Sequence, residues 1–366
     1  MDDPNPKPHP PRSLAARLDT YAAKIYRPIG FTKGYNFILW FMTTSGLLGF
    51  VLARLAYLNY DGIFCAPLSA HTNKNLHAGP GQCYFGLRGH TRVGLLMHLA
   101  TILPAGLLVC VQFVPVVRHR WLLVHRLNGY VVILLSLVST AAVFMIARDA
   151  MGGDPDTQMY IGVLGAVFLI ALGLAWWNVK RLQIELHRKW MLRAWVYATS
   201  IITLRPIGIL GAPILSRTGP YYIARPCKII HDTLGNNQGL VLQWYPSCHP
   251  WYDGADDELQ VLVRADTGGN LMERAAATLV LFAAAGWLAL TMHAIAVEVY
   301  LHLTPAEHER LRNVSYQRQV EAGMKNPGRA GLTADRLGDS ALWTPQEATT
   351  VVQTVATDKE STTAHV

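Results

Sequence analysis

Charged residues are scarce in this sequence. Asp, Glu, Lys and Arg make up only 15% of its 366 residues, whereas 51% of the residues are hydrophobic. A soluble globular chain of this length needs more polar side chains to cover its surface. The composition therefore excludes an ordinary soluble protein and indicates a membrane protein.

Several enzyme motifs are also missing. The sequence contains no G-x-S-x-G, phosphate-binding-loop or H-E-x-x-H pattern, so it gives no support for a nucleophilic hydrolase or a phosphate-loop enzyme. Residues 1–36 lack the apolar core and small-residue cleavage site of a signal peptide. We therefore expect the first membrane helix to target the chain.

Long apolar stretches dominate the rest of the chain. A helix needs about 20 mostly apolar residues to cross a bilayer, and the backbone must satisfy its own hydrogen bonds in lipid. The sequence thus predicts an all-α, polytopic transmembrane bundle of about six helices with a small exoplasmic cap. The predicted helices are Phe37–Tyr57, Val93–Val117, Leu127–Ala147, Tyr160–Val179, Trp190–Leu215, which Arg205-Pro206 interrupts, and Ala275–Leu301.

Basic residues are concentrated in alternate connections, and such residues stay on the cytoplasmic side. The pattern predicts that both termini are cytoplasmic. The net charge of +8 is explained by this distribution, so we predict the lipid bilayer as a partner and no nucleic acid. The basic residues that set the orientation are Lys7, Arg12, Arg17, Lys24, Arg27, Lys33, Arg118, Arg120, Arg126, Lys180, Arg181, Arg188 and Lys189.

Four of the five cysteines fall in connections that this orientation places outside. Cys65 and Cys83 follow the first helix, and Cys227 and Cys248 follow the fifth, whereas Cys110 lies within a predicted span. Disulfides persist on the oxidising side of a membrane. Two disulfides are expected, but four cysteines allow three pairings, and four unpaired thiols are the alternative.

The chain outside the spans divides into three segments. Residues 1–36 form a basic cytosolic segment, in which Ser13–Arg27 is either a helix on the inner leaflet or a disordered tail. Residues 216–273 form the exoplasmic cap, with strand-like runs at Leu240–Tyr245 and Leu259–Val263. Residues 303–366 form a cytosolic tail, with a helix starting at Thr304-Pro305 and no fixed structure from about Asn326. The membrane parts are 37–57, a four-helix core at 90–215, and 274–302.

Polar residues inside the spans are the candidate ligand-binding residues. A guanidinium within a span costs at least about 2.5 kcal/mol unless it is paired or hydrated, so Arg205 needs a partner: carbonyls near Pro206, an anionic substrate or haem propionates. Helices two to five carry no Asp or Glu near their middle, which argues against a proton-coupled pump. The second helix has a small and polar stripe that packing alone could largely explain. The candidate ligand-binding residues are His98, Thr101, Gln112, Tyr197 and Arg205.

Together these motifs resemble a family of predicted multi-pass membrane proteins of bacteria and fungi, catalogued as a domain of unknown function. The resemblance covers about residues 90–212. It implies a four-helix membrane core, extended here by the first and last helices and the cap, and it implies no reaction or ligand. The residues that carry the resemblance are His98, Gln112-Phe113-Val114-Pro115, His125-Arg126-Leu127-Asn128-Gly129, Gly152-Gly153, His187-Arg188-Lys189-Trp190-Met191 and Leu204-Arg205.

Two histidines are candidate ligands for haem b or a transition metal. His125 and His187 both precede helices that start on the cytoplasmic side, so the sequence places them at similar depth. The alternative is that they contact anionic headgroups within a basic cluster. His98 lies most of a bilayer away and cannot join them, and it has its own alternative as an interhelical hydrogen-bonding residue.

Three function classes follow from these residues. The first is a histidine-dependent membrane oxidoreductase or electron carrier. The second is a transporter or binder of a small anionic or amphipathic molecule, which would use Arg205 and His98 without a cofactor. The third is a non-catalytic accessory protein whose polar stripe packs against a partner.

Overall fold

A computed structural model describes residues 21–66, 78–79, 81–329, 331 and 333–345 of the chain. Within these residues, six helices are long and apolar enough to cross a membrane, which confirms the predicted all-α fold class. We label them α1 to α6: Gly34–Arg54, Gly89–Gln112, Leu122–Ile146, Pro155–Lys180, Ile184–Thr218 and Leu271–His302. Shorter helices occupy Leu55–Leu58, Tyr60–Phe64, Gln82–Gly86, Pro115–Arg120 and Ala150–Gly152.

Proline ends the second helix early but does not end the fifth. The second helix ends at Gln112 instead of Val117, since Pro115 occupies the first turn of a separate helix, where its missing N–H costs nothing. The fifth helix is longer than predicted. It runs from Ile184 to Thr218 and continues through Pro206 and Pro213 without a break.

The cap is built around a two-stranded antiparallel sheet. Strand β1 (Tyr222–Pro226) pairs with β2 (Gln260–Arg264), which confirms the strand predicted at Leu259–Val263. The strand predicted at Leu240–Tyr245 is wrong, because those residues belong to helix Gln238–Trp244, where the Asn237 side chain accepts a hydrogen bond from the Leu240 amide. The other cap helices are Cys227–Thr233, Pro246–Cys248 and His249–Tyr252.

The disulfides close each extramembrane loop on itself. Cys65 pairs with Cys83, and Cys227 pairs with Cys248, while Cys110 is buried and free. Both Cys227 and Cys248 are fully buried in the apolar core of the cap. The two expected disulfides are thus confirmed, and of the three possible pairings the structure has the one in which each loop is closed by its own two cysteines.

The chain forms two compact units. The first contains the residues up to Gly165 together with Thr199–Thr291, and the second contains Ala166–Ala198 together with the residues from Met292 onward. Of the Ser13–Arg27 segment, only residues 21–27 are described, and residues 21–26 are helical.

The second unit holds the C-terminal segment. Helix α7 (Pro305–Glu321) starts where the sequence predicts, and a short helix α8 (Ala334–Leu337) follows. Residues 326–345 differ from the expected absence of structure, because Trp343 donates a hydrogen bond to Glu309 and Arg312 pairs with Asp335 at 2.9 Å. Contacts of this kind require no apolar periodicity, so the sequence pattern does not predict them. Residues 346–366 lie outside the described part.

Helices α2 and α3 pack closely at Gly94. A Cβ atom at this position would lie 2.7 Å from the Ile146 side chain and 3.0 Å from Met145 Cβ. Real side chains do not approach this closely, so glycine is what lets the two helices meet, as small residues do in membrane bundles.

Replacing Gly94 with alanine should therefore destabilise the protein by about 1–3 kcal/mol through overpacking. The measurement is thermal unfolding in detergent. Gly162→Ala in α4 is the matched control, because nothing lies within 4 Å of a Cβ there and alanine has the better helix propensity. Equal melting temperatures for the two variants would contradict the packing seen at Gly94.

Candidate functional site

His98 forms a polar contact between two helices. Its Nδ1 lies 2.8 Å from the Ser139 hydroxyl on α3 and 3.4 Å from the Ser139 carbonyl oxygen. Thr101, one turn further along α2, donates its hydroxyl proton to the Met97 carbonyl of its own helix at 2.7 Å. These contacts match the alternative reading of His98 as an interhelical hydrogen-bonding residue, and its part in ligand binding stays a prediction.

Gln112, the last residue of α2, forms hydrogen bonds with residues of α3. Its amide donates to the His125 carbonyl at 2.9 Å, and its Oε1 accepts from Asn128 Nδ2 at 2.8 Å. Asn128 also donates to the Leu108 carbonyl at 2.9 Å. These bonds connect the last turns of α2 to the first turns of α3, and the part of Gln112 in ligand binding stays a prediction.

His187 and Tyr197 belong to the second compact unit. Nδ1 of His187 lies 2.9 Å from the Ala175 carbonyl oxygen. Tyr197 lies near a bidentate ion pair in which Arg193 donates to both carboxylate oxygens of Glu298, at 2.6 and 2.8 Å. His125 lies in α3 of the first unit, and the pairing of His125 with His187 stays a prediction.

Arg205 shares an aromatic ring with a second arginine. Its guanidinium carbon lies 5.3 Å from the centroid of Phe50, and the guanidinium carbon of Arg54 lies 5.3 Å from the same centroid. The two positive groups are therefore separated by no more than twice that distance. Arg54 also donates a hydrogen bond to the Tyr57 hydroxyl at 3.0 Å. We call Arg54, Arg205 and Phe50 the arginine pair site.

The arginine pair site has positive charge without a matching carboxylate. Among the described residues, neither Arg54 nor Arg205 forms an ion pair. Arg54 is the last residue of α1, and Arg205 is exposed on the surface of α5. Cation–π contact with one ring offsets part of the cost of each charge, but it leaves their mutual repulsion in place.

Two buried hydroxyl groups lie beside Arg205. The Tyr160 and Ser200 side chains are fully buried and neighbour one another, and Tyr160 lies within electrostatic range of Arg205. The two hydroxyls lie close to each other, but among the described residues neither forms a hydrogen bond of ordinary geometry. Buried polar groups are normally hydrogen-bonded, and the exceptions here stand next to an unpaired cation.

Sequence reasoning identified Arg205 but missed the residues around it. Arg54 lies inside the first predicted span, and the cost argument applied to Arg205 applies to it equally, so that signal was present. Nothing in the pattern pointed to Phe50, Tyr160 or Ser200. Their proximity to the two arginines depends on how α1, α4 and α5 pack.

Fold and site together define a multi-pass helical membrane protein with an unneutralised pair of arginines. Residues 95–225 match the family model described as "Predicted membrane protein (DUF2306)", which confirms the resemblance seen in the sequence. The chain is also similar to the Ava biosynthesis cluster protein G of Aspergillus versicolor, with 21% identity over 331 residues that cover 78% of this chain and 94% of that protein. No solved structure matches the chain.

The unpartnered Tyr160 hydroxyl has a consequence for stability. Tyr160→Phe should change the free energy of unfolding by no more than about 0.5 kcal/mol without added ligand, since no hydrogen bond is lost. Tyr245→Phe is the matched control, because the buried Tyr245 hydroxyl donates to Asn270 Oδ1 at 3.1 Å and its loss should cost about 1 kcal/mol. Thermal unfolding compares the two variants. A larger loss for Tyr160→Phe would show that its hydroxyl is bonded.

Proposed function

We propose that the protein binds an anionic amphipathic molecule at the arginine pair site, as a transporter or carrier of that molecule in the membrane. The observation that supports this most strongly is the pair of guanidinium groups that share the Phe50 ring without a carboxylate partner among the described residues. An anion between them would attract both guanidinium groups and offset their mutual repulsion. Arginine suits this task because its planar fork of donors matches carboxylate and phosphate groups.

The cost of the arrangement favours a ligand. A single arginine in a span costs at least about 2.5 kcal/mol on insertion scales, and two nearby cations also repel each other. An anionic group held by both would recover Coulomb energy in surroundings of low dielectric constant.

The surroundings of Arg205 favour a ligand with an apolar part. Ile209 follows it by four residues and so lies on the same face of α5. The side chains of Ile209 and Leu210 are exposed to 69% and 70%, and in a bilayer such a surface contacts lipid chains. The acidic head of an amphipathic ligand could thus bind Arg205 while its apolar tail contacts Ile209 and Leu210. The name of the fungal relative associates that protein with a biosynthesis cluster, which fits a small-molecule ligand.

The proposal is tested by thermal unfolding of the detergent-purified protein with oleate, using oleyl alcohol as the neutral probe of the same chain length. Oleate should raise the melting temperature and oleyl alcohol should not, because only oleate carries the anionic head. Arg54→Gln and Arg205→Gln should each weaken oleate binding about tenfold or more, as expected for a lost charged hydrogen bond.

Arg217→Gln is the matched control, because Arg217 is an exposed arginine at the end of the same helix. It should keep the affinity of the unchanged protein. Equal stabilisation by oleate and oleyl alcohol, or unchanged oleate affinity in both Arg54→Gln and Arg205→Gln, would overturn the proposed function.

The second candidate function is a histidine-dependent oxidoreductase or electron carrier with haem b or a transition metal. It is favoured by the contact of His187 Nδ1 with the Ala175 carbonyl, because a proton held on Nδ1 leaves Nε2 free to bind a metal. Among the described residues, no group of three or more His, Cys, Asp or Glu could hold a metal ion. This favours haem, which needs at most two axial ligands, over a bare metal ion.

An absorbance spectrum of the oxidised and dithionite-reduced protein tests the redox candidate. A reducible Soret band that His187→Ala or His125→Ala removes would support it. A colourless, folded protein that responds to oleate would eliminate it in favour of the arginine pair site. A colourless protein whose melting temperature oleate does not change would favour the third class, a non-catalytic accessory protein.

The proposed orientation places residues 1–36 and 303–366 in the cytosol and the cap at 216–273 outside. It is supported by the basic residues of alternate connections and by the two disulfides, which occur in loops on one side of an alternating six-helix chain. After reduction of intact cells, a membrane-impermeant maleimide should label Cys83, the one disulfide cysteine that is not buried. Labelling that requires permeabilised cells would invert the orientation.

A further inference from the structure

A second site of unbalanced positive charge lies in the first unit, where the cap meets the first turns of α6. It is a recess that the loop after α1, the turn between α3 and α4, and the cap strand β1 line together. Its enclosed part has room for about one water-sized species. The lining includes Gln82, Phe85, Asp149, Gly152, Arg225 and Met272.

Arg225 is the buried cation of this recess. The residue is only 5% exposed. Its Nη1 donates to the Gly152 carbonyl at 3.2 Å, whereas Nε and Nη2 are buried without a partner. Burial lowers the pKa of Arg225, and the negative charge of Asp154 opposes that shift. Among the described residues, Arg225 forms no ion pair.

The backbone approaches Arg225 more closely than a side chain would allow. Met151, Gly152 and Gly153 adopt φ angles of 50°, 100° and 71°, all in the left-handed region. A Cβ atom on Gly152 would overlap Nη2 of Arg225. Gly152 therefore packs against the Nη end of the guanidinium, where its carbonyl accepts from Nη1 while Nε and Nη2 have no partner among the described residues.

We propose that the recess binds one small halide ion, chloride in the cell, on the Nε and Nη2 edge of Arg225. These two N–H groups are parallel donors on one edge of the guanidinium, so a single anion can accept both. A water molecule would satisfy the N–H groups but would leave the buried charge uncompensated.

The neighbouring carboxylates do not fill this role. The Asp149 carboxylate accepts a hydrogen bond from Thr91 at 2.6 Å and lies 3.9 Å from His90 Nε2. Asp154 forms no ion pair with Arg225 among the described residues and acts on it only at a distance. The halide would thus connect the cap strand to the Gly152 turn and stabilise the cap in a chloride-dependent manner.

The test measures thermal unfolding of the full-length protein in sodium chloride, sodium bromide or sodium gluconate at constant ionic strength. Both halides should raise the melting temperature by about 2 °C or more relative to gluconate, because a ligand that binds the folded state stabilises it. Arg225→Gln should remove the difference. Arg264→Gln, on the paired strand β2, is an exposed control that should keep it.

If Arg225→Gln does not fold, Asp154→Asn and chloride-35 NMR line widths decide the question. Asp154→Asn removes a negative charge that repels the halide, so it should strengthen halide binding several-fold. Chloride bound to the protein should broaden the chloride-35 NMR line, and added bromide should narrow it again by displacing the chloride. Identical melting temperatures in all three salts, or halide binding that neither Arg225→Gln nor Asp154→Asn changes, would overturn the proposal.

Discussion

Two guanidinium groups share one phenylalanine ring at the surface of this helix bundle, and no carboxylate among the described residues neutralises them. In water such a pair would be solvated at little cost. In or near hydrocarbon, the hydration is lost and the repulsion between the charges is screened less. Tyr160 lies within electrostatic range of Arg205, and its buried hydroxyl lies close to that of Ser200.

The other polar residues within the first unit behave differently. His98 contacts Ser139, and Gln112 contacts Asn128 and the His125 carbonyl. Each of these groups finds its partner on a neighbouring helix or turn. They hold α2 and α3 together, as does the close approach at Gly94. These contacts stabilise the bundle, whereas the proposed ligand site is the arginine pair site.

Hydropathy was sufficient to predict the six helices, because a membrane requires about 20 apolar residues for each crossing. Helix ends were less predictable, since Pro115 starts a new helix whereas Pro206 lies within one. The cap was predicted only in part. The apolar run at Leu240–Tyr245 has the length of a strand, but the Asn237 cap makes it a helix, and short apolar runs do not distinguish the two.

Less of the candidate site than of the fold could be predicted from the sequence. The cost of a charge in lipid identified Arg205 from the sequence, and it could have identified Arg54. No local pattern predicts that residues 50, 54, 160, 200 and 205 meet, because they belong to three helices that are far apart along the chain. Likewise, no sequence pattern singles out Arg225, and only the structure shows it buried against Gly152.

The central claim is that the arginine pair site holds an anionic amphipathic molecule in the membrane. Native mass spectrometry of the protein, released from nanodiscs made with its own membrane lipids, tests this most directly. We expect the unchanged protein to carry a bound acidic amphipathic molecule that an Arg54→Gln, Arg205→Gln double variant lacks and Arg217→Gln retains. An unchanged protein free of such a molecule, or a double variant that binds it equally well, would contradict the claim.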